Sequence, residues 1–388
     1  MPGAATLEML ERLVGHDSVS RNSNLPLIAD VEAFLDRQGA SWRRFMSPCG
    51  TKANLLATVG PAERPGMILS GHVDVVPVDG QSWTGDPFRL TEREGRYYGR
   101  GTTDMKGFDA LVLAKIPDML AAGLHHPVHI ALSYDEEVGC TGVQAMLHEL
   151  REERFTALGC IVGEPTSMQT IIAHKTKRAG MARFFGFECH SSLAPQGVNA
   201  VEYAARLTTF ISDMGREYAA SGPRDQLYDI PFGTAHVGVL RGGTALNIVP
   251  GDADMVYELR LIGEQDIETE HARIEAFVRD ELEPAMKAVR PECGIRLIET
   301  STIAGVDTEA DAPLSRLSRE LCGRDEVAKV AFGTEAGLFQ QFLGIPAVVC
   351  GPGDIGQAHK PDEYIEADQL DAGERYLDGL IERLKSPW

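Results

Sequence analysis

Gly66-Met67-Ile68-Leu69-Ser70-Gly71-His72-Val73-Asp74 is a short apolar run that ends in a histidine and an aspartate two residues apart. Its length and its lack of charge suit a buried strand, and residues two apart on a strand project to the same side. His72 is thereby placed to ligate a metal while Asp74 accepts its other ring proton, fixing the tautomer and orientation of the imidazole. Taken alone, a His-x-Asp at a strand end is more often a surface turn, so the reading depends on what accompanies it.

Three further runs of the same kind, Asn54-Leu-Leu-Ala-Thr-Val, Val128-His-Ile-Ala-Leu-Ser and Cys160-Ile-Val-Gly, predict strands. Lys106 to Ala122 and Gly142 to Arg154 carry apolar residues at three-to-four spacing and predict helices, so this part of the chain reads as an α/β sheet covered by helices. From about Lys177 the texture changes. Alternating strands (Met181 to Glu188, Thr234 to Leu240, Ala253 to Leu261, Gly294 to Glu299) are interleaved with amphipathic helices over Ala200 to Ser221 and Ile267 to Val289. That pattern suits a small open sheet with helices on one face. Near Ile303 the chain returns to the first texture, with strands over Lys329-Val-Ala-Phe and Ile345-Pro-Ala-Val-Val-Cys. The expected organisation is a catalytic α/β domain over residues 1–176 and 303–388, interrupted by an inserted α+β domain over residues 177–302.

Composition sets the outer bounds. At 388 residues, 43% hydrophobic and 24% charged, the chain can bury a sizeable core and is long for a single one. A formal net charge of -20 repels phosphate backbones and anionic lipid, and no basic patch offsets it, so neither nucleic acid nor a membrane is an expected partner. Residues 1–20, MPGAATLEMLERLVGHDSVS, mix apolar and charged residues at helical spacing instead of forming a secretion signal. No stretch approaches the ~20 apolar residues of a membrane span. The seven cysteines are odd in number and include no Cys-x-x-Cys pair, which suits reduced, mostly buried thiols in a cytoplasmic protein.

Other motifs join His72. Tyr98-Gly-Arg-Gly-Thr-Thr-Asp104-Met-Lys-Gly107 is a glycine-rich loop entering a helix. Asp104 there either caps the helix, the commoner role, or is free to ligate; the glycine spacing matches neither phosphate-binding fingerprint. Leu132-Ser-Tyr-Asp135-Glu136-Glu137-Val-Gly139 closes a strand with three consecutive acids. Such a group is either a solvated turn or a set of carboxylates that divide labour, one binding a cation and the next taking a proton from the water that cation activates. Cys160-Ile-Val-Gly ends in Glu164-Pro165, and Val348-Val-Cys-Gly-Pro-Gly runs into Gln357-Ala-His359-Lys-Pro-Asp-Glu363. Candidate ligands thus gather at strand ends, where open α/β sheets place their sites. Two imidazoles and three carboxylates without a thiolate suit a catalytic zinc, cobalt or manganese pair better than a structural zinc.

These residues, in this order, resemble the dinuclear-zinc peptidase and deacylase family that includes acetylornithine deacetylases, succinyl-diaminopimelate desuccinylases, aminoacylases and glutamate carboxypeptidases. The resemblance runs from Asn54 to Ile365. It implies that His72 and Glu164 hold one zinc, Glu137 and His359 the other, and that Asp104 bridges them. It further implies Asp74 as the residue orienting His72, Glu136 as general base, and the inserted domain as a lid that also forms a homodimer. In the lid, Cys189-His190-Ser191-Ser192 is similar to the segment whose histidine reaches across the dimer to stabilise the oxyanion. Gly242-Gly-Thr-Ala-Leu-Asn247-Ile-Val-Pro250 and Arg260 match substrate-contacting positions, Arg260 offering its charge to a substrate carboxylate.

Within the family, Val162-Gly-Glu164-Pro-Thr-Ser167, Ala173-His-Lys175, Gly333-Thr334-Glu335-Ala336 and Gly353-Asp-Ile-Gly-Gln-Ala-His359-Lys-Pro-Asp-Glu363-Tyr look most like the acetylornithine deacetylase branch, with Gly333 and Thr334 at substrate-binding positions. The implied reaction is hydrolysis of N-acetyl-ornithine to ornithine and acetate, in arginine biosynthesis. Two segments depart from the pattern, Thr176-Lys-Arg178 after Lys175 and Leu193-Ala-Pro195 after His190-Ser-Ser. Both fall in the lid, so an N-succinyl, N-formyl or N-carbamoyl amino acid or a dipeptide is the alternative substrate. A non-catalytic relative acting in binding or assembly would be expected to lack the base or a ligand, and none is missing here.

Overall fold

The computed structural model describes residues 1–388. The chain forms two compact units, one made of Met1–Ala173, Val306–Lys329 and Thr334–Trp388, the other of His174–Gly305 with Val330–Gly333.

In the first unit the strands are β1 (Ser41–Met46), β2 (Ala53–Val59), β3 (Gly66–His72), β4 (Thr91–Arg93), β5 (Arg96–Tyr98), β6 (Val128–Ser133), β7 (Ala157–Pro165) and β8 (Ile171–His174). The second unit holds β9 (Thr176–Phe185), β10 (Thr234–Gly242), β11 (Asp252–Leu261) and β12 (Gly294–Ile303). The chain then adds β13 (Val306–Asp307), β14 (Ala328–Val330), β15 (Ala347–Gly351) and β16 (Tyr364–Glu366). The main sheet has nine strands in the order β1-β2-β6-β3-β7-β15-β8-β13, with β14 paired to β8. It is mixed: β3 runs parallel to β6 and β7, and β7 parallel to β15, whereas β1, β2 and β6 pair antiparallel. Every residue of β3, β6 and β15 is buried, as expected for strands covered on both faces.

The helices of this unit include α1 (Ala4–Val14), α2 (Leu25–Gln38), α3 (Lys106–Ala114), α4 (Ile116–Ala121) and α5 (Val143–Glu152). One core joins Leu10 and Leu13 of α1, Ile28 and Leu35 of α2, Leu55 of β2, Leu69 of β3 and Leu111 of α3. The periodicity over Lys106 to Ala122 predicts one helix; the structure has two, because Pro117 sits in the first turn of α4 and cannot continue the hydrogen-bonding of α3. Glycines let α3 lie close to the sheet. A Cβ on Gly163 of β7 would stand 2.0 Å from the Phe108 ring, and one on Gly107 would stand 2.4 Å from the Thr102 carbonyl oxygen.

The second unit is a four-stranded antiparallel sheet in the order β10-β11-β9-β12. Strand β11 shows the two-residue period, with Ala253, Met255, Tyr257, Leu259 and Leu261 buried. Helix α6 (Ala200–Ser221) meets this face with Ala204, Leu207, Ile211, Met214 and Tyr218. Its first turn is capped by Asn199, whose Oδ1 accepts the amides of Val201 and Glu202 at 3.1 and 3.2 Å. The stretch Ile267 to Val289 is again not one α-helix. It splits into α7 (Ile267–Phe277), a π turn at Val278–Leu282 and α8 (Glu283–Val289), whose first turn holds a proline, Pro284. β9 starts earlier than the Met181 expected from alternation, and its Thr176–Gly180 portion pairs with β11 and β12. The first unit closes with α9 (Pro313–Cys322), α10 (Ala336–Leu343) and α11 (Ala367–Leu384). No helix is long and apolar enough to cross a membrane.

Candidate metal centre

Four neighbouring parallel strands, β6, β3, β7 and β15, end along one edge of the main sheet. β3 ends at His72, β6 leads into Glu136 and Glu137, β7 ends at Glu164-Pro165, and β15 leads into the loop that carries His359. Asp104 comes from the loop that opens α3. Residues more than 280 positions apart in sequence, His72 and His359 among them, therefore meet because parallel strands deliver their C-terminal ends to the same side.

Asp104 stands between the two imidazoles. Its Oδ1 lies 3.0 Å from His72 Nε2 and its Oδ2 lies 3.2 Å from His359 Nε2. Glu164 Oε1 is 3.7 Å from His72 Nε2. Glu137 Oε2 is 3.1 Å from His359 Nε2. Two overlapping groups of potential ligand atoms result, His72–Asp104–Glu137 and His72–Glu136–Glu164, each with its atoms within 4.8 Å of one another. His359 is held at a φ of 62°, a left-handed conformation that costs a non-glycine residue ~1–2 kcal/mol.

Asp74 contacts His72 differently from the sequence-based expectation. The ring Nδ1 meets the backbone carbonyl of Asp74 at 2.8 Å, whereas the nearest carboxylate oxygen is 3.6 Å away. The carboxylate instead accepts the amides of Glu136 and Glu137 at 3.1 and 3.4 Å and the Ser20 hydroxyl at 2.7 Å. An aspartate two residues past the end of β3 thus fixes the neighbouring acidic turn. Asp135, first of the three consecutive acids, pairs with Lys52 and stays outside the ligand cluster. Glu136 accepts the Cys140 thiol at Oε1, 3.2 Å away.

Buried polar groups behind these residues hold the loops in place. Glu363 accepts the amides of Thr103 and Asp104 at 3.0 and 3.1 Å through Oε1, and its Oε2 takes Arg100 Nη1 at 2.6 Å. Both members of this ion pair are 1% exposed. Glu335 accepts Ser70 and Ser133 hydroxyls at 2.5 and 2.8 Å, tying the ends of β3 and β6 together. Lys106 donates to the carbonyls of Leu13 and His16 at 2.9 and 3.0 Å, which satisfies the C-terminal end of α1; burial brings its ammonium down to about 8. Glu363, Glu335 and Arg100 stood in quoted motifs without a role, because nothing in a local motif tells a buried carboxylate from a solvated one.

The electrostatics match a cation site. Burial drives Glu164 well above the usual carboxylate range, with Asp104 adding to the effect. Burial likewise pushes Glu136 up to about 8, against the pull of His72 and with the help of Glu137 and Asp104. Glu137 is raised by burial and then by Asp104. Asp104 is the exception: burial would raise it, but hydrogen bonds from His359 and His72 hold it well below its ordinary value. His359 is drawn up to about 10 by its hydrogen bonds to Asp104 and Glu137. For His72 burial acts downward, yet Asp104 and the charges of Glu164 and Glu136 raise it well above its usual value. Protons and divalent cations compete for such donors, since an imidazole ligates when neutral and a carboxylate when ionised. Two imidazoles and four carboxylates, thiolate-free and anchored by buried partners, fit a site for divalent cations.

The sequence pattern of peptidase family M20/M25/M40 matches residues 68–383, from within β3 to within α11. The chain belongs to this family. As a member of the M20/M25/M40 peptidases it is a metal-dependent hydrolase. An acetylornithine deacetylase of Myxococcus xanthus is 37% identical over 370 residues, covering 93% of this chain and 92% of its own. One from Pasteurella multocida is 32% identical over 330 residues, covering 85% and 83%. A metallo-carboxypeptidase of the M20 family from Sulfolobus solfataricus shares the fold with a TM-score of 0.79 at 18% identity over 99% of both chains. A dinuclear metal binding peptidase of the family from Bacillus subtilis does so with a TM-score of 0.65 at 13% identity over 98% of both.

The remaining site candidates lie elsewhere in the M20/M25/M40 chain. His190 and Asn247 stand in the second unit on adjacent segments, where the Ser191 amide donates to the Asn247 carbonyl at 3.0 Å and His190 bridges to Ile248. His190 Nδ1 lies 2.8 Å from the Ser192 hydroxyl and the ring is exposed. Arg260 donates through Nε to Glu258 at 2.9 Å and through Nη1 to the Ala331 carbonyl at 3.2 Å. Gly333 closes the short Val330–Gly333 piece of the same unit. Thr334 begins the return to the first unit, fully buried, and its hydroxyl accepts the Ala336 amide at 3.1 Å.

Proposed function

We propose that this chain cleaves the amide bond of an N-acyl amino acid, with N-acetyl-ornithine, giving ornithine and acetate, as the first substrate to test. The observation that carries the reading is Asp104, whose two carboxylate oxygens face two different imidazoles at 3.0 and 3.2 Å. Resemblance to acetylornithine deacetylases along 93% of the chain supports the choice of substrate. His72 and Glu164 would hold one cation and Glu137 and His359 the other, with Asp104 shared; zinc is the proposed metal, replaceable by cobalt or manganese. When bound, the two cations polarise the scissile carbonyl and acidify a water.

The chain's own groups do the rest. Glu136 takes the proton of the attacking water and later delivers it to the leaving nitrogen, so that a free amine departs as the C–N bond breaks. Asp74 steers this base by holding the amide of Glu136 and orients His72 through its carbonyl. His190 donates to the oxyanion, reaching over from the partner protomer of a homodimer formed by the inserted residues 177–302, between the catalytic segments 1–176 and 303–388. Arg260 receives the substrate carboxylate, with Asn247, Gly333 and Thr334 as the other substrate-binding positions. The setting is cytoplasmic, in arginine biosynthesis.

A hydrolysis screen of N-acetyl, N-succinyl, N-formyl and N-carbamoyl amino acids with added zinc tests this. Release of ornithine from N-acetyl-ornithine in preference to the others is the expected result. Preference for another acyl group would move the substrate, and no hydrolysis of any would overturn the reading.

A further inference from the structure

Two thiols outside the metal centre touch. Cys322, the last residue of α9, and Cys350, on the central strand β15, have their sulfurs 3.3 Å apart. Cys350 is fully buried; Cys322 is partly exposed. The Thr170 hydroxyl lies 3.8 Å from Cys322 and 2.8 Å from the Ser318 hydroxyl, which itself accepts from Tyr376 at 3.0 Å, so a polar cluster surrounds the pair. We infer that Cys322 and Cys350 are an oxidation site, at which a peroxide converts the two thiols to a reversible disulfide joining α9 to β15.

The geometry favours this pair over the other five cysteines, for which no sulfur–sulfur contact occurs. A disulfide needs the sulfurs at ~2.05 Å, so they must close by about 1.3 Å. Cys322 ends its helix, and Gly323 follows in the left-handed conformation at φ 64° with exposed residues after it. Thiolate character and access decide which sulfur reacts first. Hydrogen bonding with Cys350 lowers the Cys322 thiol, while the same contact and burial push Cys350 well up.

The Cys322 thiolate attacks one peroxide oxygen, the O–O bond breaks, and the departing oxygen takes a proton to leave as water, giving a sulfenic acid. Cys350, surrendering its proton, attacks the Cys322 sulfur and displaces the hydroxyl as a second water. Two thiols and one hydrogen peroxide become one disulfide and two waters, and a dithiol reductant reverses the change.

The test uses the full chain carrying Cys49→Ser, which removes the most exposed thiol as a competing site. After reduction and desalting, the native protein is treated with a few equivalents of hydrogen peroxide, alkylated, and mapped by peptide mass spectrometry. The expected product is a cross-linked Cys322–Cys350 peptide pair lighter by two hydrogens, abolished by dithiothreitol. Adding Cys350→Ala should leave Cys322 as a sulfenic acid that a dimedone probe captures. Over-oxidation of Cys322 without a cross-link, or a pair that stays fully alkylatable, would overturn the inference. Because the cross-link is read on the chain with both thiols in place, misfolding of the Cys350→Ala variant would not decide the outcome.

Discussion

Consider the buried pair Arg100–Glu363. Glu363 satisfies Arg100 Nη1 and the amides of Thr103 and Asp104 at 2.6, 3.0 and 3.1 Å, with both side chains 1% exposed. In Glu363→Gln the guanidinium keeps Gln81 and the Trp83 ring as neighbours but loses its counter-charge. Leaving one member of a buried ion pair uncompensated costs ~3–5 kcal/mol. In Arg100→Met the stranded charge is the carboxylate, which retains two amide donors, so the cost belongs at the low end of that range. Removing both charges removes the stranded one, so the double variant should recover at least half of the summed single losses. Urea unfolding read by tryptophan fluorescence measures this cleanly, since all three tryptophans, Trp42, Trp83 and Trp388, lie in the first unit. Chelator is kept constant, because a cation bound only to the folded state adds stability of its own. Single losses that add to within ~0.5 kcal/mol in the double variant would show that Arg100 and Glu363 do not depend on each other.

Other consequences follow from the same contacts. Glu136→Gln should reduce turnover ~10²–10⁴-fold with metal content unchanged by elemental analysis; loss of metal would show that Glu136 ligates. Prolonged chelation should abolish hydrolysis and zinc or cobalt should restore it, and activity that persists would count against the metal centre. In metal-free protein the raised values of Glu136, about 8, and His359, about 10, mean that the folded state holds protons the unfolded chain has released. The associated stability is complete below the unfolded values, near 4.5 for a glutamate and 6.5 for a histidine, and is lost as pH rises through about 8 and 10. The melting temperature of the metal-free chain should therefore fall from pH 6 to pH 10, and a flat profile would contradict it. Gly163→Ala forces a methyl against Phe108 at 2.0 Å and should cost ~1–3 kcal/mol or more in the same urea assay.

The sheet and its site were legible where one physical cause dominates. Mostly apolar runs mark β3, β6 and β15 because these strands are covered on both faces, and the acids and histidines at or after their ends mark the edge where parallel strands end. Periodicity failed where a single residue outweighs it: Pro117 splits the helix expected over Lys106 to Ala122, and a π turn interrupts Ile267 to Val289 ahead of Pro284. The anchoring layer was illegible for a different reason. Glu363, Glu335 and Arg100 gain their meaning from burial beside partners more than 200 residues away, and no local window contains that information. Asp74 shows the same limit at finer scale, since its place beside His72 was readable but the exchange of carbonyl for carboxylate was not.

The strand order has a consequence during synthesis. β15 lies between β7 and β8, yet it emerges some 180 residues after β7 is complete. At ~5–20 residues per second, the apolar outer edge of β7 waits ~10–40 s for its neighbour. For that interval the nascent chain presents an unpaired, hydrophobic strand edge of the kind that recruits other chains. Holding factors at the ribosome, expression temperature and translation speed should therefore affect the yield of this protein.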